Sequence, residues 1–158
     1  MKLSTKAKTL LGVSIGVFLF MQFAQASQAD VISPQLLASK MRADRLLKEG
    51  RLGPSIFLYE KILAQEPSMA NAYYNLATAY YLLGNTEKTL ENLEIFVGLR
   101  PQDAEALYNL GCLKLRAGAL TKAQHYLLQA QACSPALPLE QKIKEAREIV
   151  ASLLALTA

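Results

Sequence analysis

From Leu36 onward apolar residues return at helical spacing, and glycine or proline interrupts them at regular intervals, so the chain reads as helices joined by tight turns. The first predicted helix has Ser33 as its cap and Pro34 in its first turn, where no donor is lost. It offers Leu37, Met41 and Leu46-Leu47 to a core. Gly50-Arg51-Leu52-Gly53 turns the chain, and Pro54 opens the second helix, IFLYEKILAQ. Two further helices of about 14 residues stand on either side of Gly84-Asn85, and the next pair keeps the same register. The last predicted helix, LEQKIKEAREIVASLLALTA, places Leu139, Ile143, Ala146, Val150 and Leu153 on one face. From Ile149 on, only Ser152 and Thr157 interrupt its aliphatic residues, so that end is apolar nearly all round.

The interruptions keep one period. Gly50, Gly84 and Gly118 are 34 apart, as are Pro67, Pro101 and Pro135, and the small residues Ala43, Ala77 and Gly111. Three such columns in step predict a repeat protein of helix pairs. The repeats run 36–69, 70–103 and 104–137, with a capping helix over 138–158. Small residues in the third column let paired helices approach closely, and Tyr80 and Phe96 fill the space they leave. Arg42 stands in the column that holds Leu76 and Leu110, as suits a terminal repeat with one face lacking a neighbour.

These columns resemble the tetratricopeptide repeats. Tyr73, Leu76, Ala77, Tyr80, Thr89, Leu93, Phe96 and Pro101 fit the signature in the second repeat. Leu107, Leu110, Gly111, Ala123, Leu127, Ala130 and Pro135 fit it in the third. Lys114 departs from it, standing where tyrosine is usual, and Ser39 and Arg42 replace apolar residues in the first repeat. The resemblance implies an all-α solenoid of three helix-turn-helix repeats with a concave groove lined by the first helix of each pair, which in this family holds an extended peptide or a partner's helix. Mapped onto this chain, the expected peptide-binding residues are Tyr74, Asn75, Thr78, Tyr81, Tyr108, Asn109 and Cys112, with Lys40, Asp44 and Arg116 on the same groove. Asparagine offers a peptide backbone both donor and acceptor, and tyrosine offers apolar area with a polar tip. Tyr-Asn-Leu at both 74–76 and 108–110 is also common scaffolding of the repeat, whatever it binds. One subfamily clamps a partner's C-terminal carboxylate with three cations and two asparagines. Here Lys40 and Asn75 match it, whereas Asp44, Glu105 and Asn109 do not, and two acids would repel a carboxylate, which excludes that mode.

Ahead of the repeats, Lys2, Lys6 and Lys8, the apolar run Leu10–Met21 and Ala24-Gln25-Ala26 form the three sections of an export signal, with the cut expected after Ala26 and a polar leader over 27–35. The mature protein is then expected in the periplasm or outside; the alternative is an uncut anchor in the inner membrane. Three of the 17 basic residues and none of the 13 acidic ones lie in the signal, leaving 14 against 13. A nearly neutral module has little electrostatic drive toward nucleic acid. Cys112 falls mid-way along one helix and Cys133 at the far end of its antiparallel partner, which argues for two buried or half-buried thiols over a disulfide.

Catalytic chemistry finds no support in the sequence. His125, the one histidine, lies between Gln124 and Tyr126 on a face expected to meet solvent, and no His or Cys cluster has metal-ligand spacing. No cofactor is expected, and the glycines sit at helix ends, not in a phosphate loop. The leading expectation is a non-catalytic scaffold that holds a segment of an envelope protein in its groove during assembly. The alternative is a self-assembling module that packs through Leu153, Leu154 and Leu156 or through a solenoid end.

Overall fold

Three glycines set the architecture. Gly50, Gly84 and Gly118 have φ of 72°, 76° and 74°, the left-handed region that side chains resist. Each closes its helix with the same two bonds. At the second, the Gly84 N–H reaches the Tyr81 carbonyl and the Asn85 N–H the Tyr80 carbonyl, both at 2.9 Å; Gly50-Arg51 and Gly118-Ala119 repeat the arrangement. The 34-residue column is therefore a column of identical helix stops.

The computed structural model describes residues 33–157. The expected export signal at 1–26 and the leader up to residue 32 lie outside the described residues. Among those described there are seven helices and no strand: α1 (Pro34–Lys48), α2 (Leu52–Gln65), α3 (Ala70–Leu82), α4 (Thr86–Leu99), α5 (Ala104–Arg116), α6 (Leu120–Ala132) and α7 (Leu137–Thr157). The chain divides after Leu37, within α1, and the unit that follows holds the rest of α1 together with α2 to α7. Ser33 Oγ accepts the Leu36 N–H at 3.2 Å, the expected cap of α1. Asn85 and Asp103 cap α4 and α5 in the same way, each accepting a backbone N–H at 3.0 Å. The result is an all-α repeat fold: Ser55 and Tyr59 of α2 hydrogen-bond to Ala43 and Asp44 of α1, α3 packs on α4 and α5 on α6, and α7 packs on α6 and touches α5.

The core is continuous through the second and third pairs. Leu93, Phe96 and Val97 of α4 meet Leu107 and Leu110 of α5, and Ile143 of α7 joins them. A second cluster seals the end, where Ala123 and Leu127 of α6 meet Ala146 and Val150 of α7. Gly111 shows why its column stays small: a Cβ there would come within 2.8 Å of Leu127 Cγ.

Two expectations about the core face need correction. On α1, Leu37 and Met41 are exposed, and the buried face is Ala43 and Leu46. At 100° per residue, Met41 stands roughly 200° from Ala43, on the opposite side of the helix. On α7, Leu154 continues the line of Val150 into the second cluster, while Leu153 is largely outside it. Lys114, the departure from the tyrosine column, also has a physical account. In the second repeat Tyr80 donates its hydroxyl to Glu60 Oε1 at 2.8 Å. Thirty-four residues on, the buried Lys114 places Nζ 2.5 Å from Glu94 Oε1. The link between successive repeats is kept, with an ion pair in place of a neutral donor.

Candidate functional site

Because α3 and α5 are the first helices of neighbouring pairs, their facing sides leave a cleft of about 270 Å³. Helix α3 contributes Tyr74, Ala77, Thr78 and Tyr81; α5 contributes Asn109, Cys112, Leu113 and Arg116. Thr89 and Leu93 of α4 line it as well. The wall is thus apolar at Ala77, Leu93 and Leu113, and polar where the tyrosines, Thr78, Asn109 and Arg116 reach it.

Neighbouring contacts fix these side chains. The Tyr74 ring tilts against Phe96, centroids 5.1 Å apart, and its hydroxyl accepts from Asn109 Nδ2 at 3.4 Å. Burial, followed by the charge of Glu105, pushes the Tyr74 hydroxyl above its ordinary pKa. Arg116 Nη1 donates to the Tyr81 hydroxyl at 3.4 Å. Burial also raises the Cys112 thiol, partly offset by a bond with Tyr108, so Cys112 is a weak nucleophile near neutral pH. Neither cysteine is in a disulfide, and both are half-buried.

The expected binding residues therefore divide. Tyr74, Thr78, Tyr81, Asn109 and Cys112 come together on the cleft. Tyr108 packs instead against the two core clusters, toward the α6 and α7 side. Asn75 donates Nδ2 to Asp44 Oδ1 at 2.9 Å, and the same carboxylate accepts from Tyr59 at 2.6 Å and from Lys40 at 2.7 Å. Asp44 thereby ties α1, α2 and α3 together. Ala77, Thr89, Leu93 and Leu113 were not expected at the site; their apolar or small character reads as core in a sequence, and it is the gap between α3 and α5 that lets them line the cleft.

Burial pushes the Asp44 carboxyl up, but its bonds from Lys40, Tyr59 and Asn75 and the Lys40 charge outweigh this and hold it below the ordinary carboxylate value. Its folded pKa being depressed, its contribution to stability is present above the unfolded value near ~3.9 and is lost as pH falls through the folded pKa. Asp44→Asn should therefore lower stability at pH 7, and the gap to the parent protein should narrow at pH 3 in urea denaturation. A gap of equal size at both pH values would separate Asp44 from the titration.

Family models of the tetratricopeptide repeat match residues 58–91 and 104–136. Two stretches of the chain match the tetratricopeptide repeat. The second match coincides with α5 and α6, and the first begins in α2 and runs through α3 into α4. Among similar proteins, the TPR repeat-containing protein YvcD of Bacillus subtilis is 33% identical over 76 residues, 48% of this chain and 16% of that protein. The tetratricopeptide repeat and J domain-containing co-chaperone DNJ1 of Fusarium oxysporum is 27% identical over 122 residues, 75% of this chain and 23% of that protein. The chain spans less than a quarter of the length of the curated relatives it matches. In fold it is similar to the first TPR of Spaghetti (RPAP3) bound to the HSP90 peptide SRMEEVD, with a TM-score of 0.66 and 19% identity over 80% of this chain and 98% of that one. It is also similar to the Yersinia enterocolitica type III secretion chaperone SycD in complex with a peptide of the translocator YopD, with a TM-score of 0.68 and 13% identity over 77% and 96%. Among the described residues, no group of three or more His, Cys, Asp or Glu is placed to hold a metal, and no helix is long and apolar enough to cross a membrane.

Proposed function

We propose that this TPR protein is a non-catalytic interaction scaffold, exported after a cut behind Ala26, that holds a segment of an envelope protein in the cleft between α3 and α5. The observation that carries the reading is the cleft itself, with an apolar floor, polar groups at hydrogen-bonding height and no catalytic constellation. Its volume, about 270 Å³, lies below the ~300–1,000 Å³ of small-molecule pockets and suits one or two side chains of a peptide. Similarity to TPR domains solved with peptides supports the same class of partner.

A second reading, self-assembly, is favoured by one observation. Ile149, Leu153 and Leu156 form an aliphatic stripe on the outer side of α7, exposed by 52%, 38% and 83%. One experiment separates the two. A photoreactive phenylalanine analogue is placed at Tyr81 on the cleft, at Leu156 on α7 or at the exposed His125, and adducts are mapped in envelope fractions. The scaffold reading expects one heterologous segment crosslinked at Tyr81 and none at His125. The self-assembly reading expects a second copy of the chain at Leu156. Equal capture at Tyr81 and His125 would remove the cleft as the working site.

A further inference from the structure

We infer that the cleft is polar along its length and selects a segment carrying an aliphatic side chain with an acidic side chain close behind it, the acid pairing with Arg116. This rests on the cleft being the peptide site and adds the chemistry and direction of what enters it.

Charge placement carries the inference. Lys40 is paired with Asp44 and Lys114 with Glu94, so those two cations are already neutralised. Arg116 lines the cleft and is exposed, and it donates to a neutral hydroxyl, that of Tyr81. No ion pair among the described residues includes it. At the other end of α5 stand Asp103 and Glu105, both close enough to Tyr74 to raise its pKa. Asp103 is engaged in capping the helix, and Glu105 is exposed and joins no ion pair among the described residues. Arg116 and Glu105 are 11 residues apart, about 16 Å along the helix, which exceeds a Debye length at physiological salt. The Arg116 end therefore attracts an acid without interference from Glu105, and the Glu105 end repels one.

Between the two ends the floor of Ala77, Leu93 and Leu113 offers no hydrogen bond from its side chains, so an aliphatic group is the occupant that leaves nothing unpaired there. A guanidinium adds fork geometry to its charge, and a carboxylate completes it better than the Tyr81 hydroxyl does. A segment bound in this way runs with its acid toward the C-terminal end of α5.

The test uses the full chain and three fluorescein-labelled peptide pools in a Gly/Ser/Ala background: leucine followed two residues later by glutamate, leucine followed by lysine, and alanine followed by glutamate. Anisotropy titration should show the leucine–glutamate pool binding about tenfold or more tighter than either other pool, the size of effect one charge-assisted bond gives. Arg116→Glu should reverse the glutamate/lysine preference, which a merely structural role for Arg116 would not do. Thr78→Trp, which fills the cleft, should abolish binding of all pools. Equal binding of the glutamate and lysine pools, still abolished by Thr78→Trp, would overturn this inference and leave the cleft as the peptide site. Binding that survives Thr78→Trp in a folded protein would overturn both. If no pool binds, the inference is overturned, and the Tyr81 crosslink alone decides whether the cleft is a site. The comparison between pools needs no protein variant, so a misfolded mutant cannot obscure it.

Discussion

Phe96→Ala should lower the unfolding free energy by about 3–5 kcal/mol, the range for removing a fully buried aromatic side chain. Phe96 is 4% exposed and stands in the core that Leu93, Leu107, Leu110 and Ile143 share, a core that joins its own helix α4 to α5 and α7. In a repeat array each pair contacts only its neighbours, and truncation here loosens the α4–α5 junction. The effect should also reach the cleft. Tyr74 lines the cleft wall and leans on the Phe96 ring, so without that ring it loses the neighbour that sets its tilt. Peptide binding should therefore weaken in Phe96→Ala even where the protein remains folded, whereas Phe96→Leu should cost less stability and retain more binding. Urea denaturation with and without the leucine–glutamate pool measures both. A loss below about 1 kcal/mol would mean that Phe96 is not the centre of this core.

Much of this was legible in the sequence because turn chemistry and close approach act locally. A glycine every 34 residues marks a helix stop of positive φ, and the small column at 43, 77 and 111 marks helix contact. The cleft was legible in part. Tyr74 and Tyr108 occupy the same column, yet Tyr74 faces a gap between two first helices while Tyr108 faces α7, whose chain direction and packing no repeat column encodes. Asn75 lies outside the cleft lining for a related reason: its partner, Asp44, stands 31 residues upstream, and only the packed helices reveal that the two meet. The Lys114–Glu94 pair was available to a closer reading, since Tyr80 and Glu60 stand at the same two columns one repeat earlier. What the columns could not supply was which groups are already satisfied, and that distinction separates Arg116 from Lys40 and Lys114.

Leu127→Ala should destabilise the protein by about 2–5 kcal/mol, because Leu127 is 0% exposed and its removal leaves a void beside a residue with no side chain to move into it. That residue is Gly111. Gly111→Val alone should cost about 1–3 kcal/mol by overpacking, since even a Cβ would lie 2.8 Å from Leu127 Cγ and 2.9 Å from Leu127 Cδ2, and the buried leucine has little room to withdraw. Valine's better helix propensity than glycine's returns only a few tenths of a kcal/mol. The two changes act on one space with opposite sign, so the double variant should be more stable than the sum of the singles predicts by about 1–3 kcal/mol. Urea denaturation of the four proteins closes the cycle. Additivity within about 0.5 kcal/mol would show that the two positions do not share a volume, and α5 and α6 would then have to pair in another register. A positive coupling would instead establish that the 34-residue small column is kept small by the leucine facing it, and that the second core cluster under α7 depends on that fit.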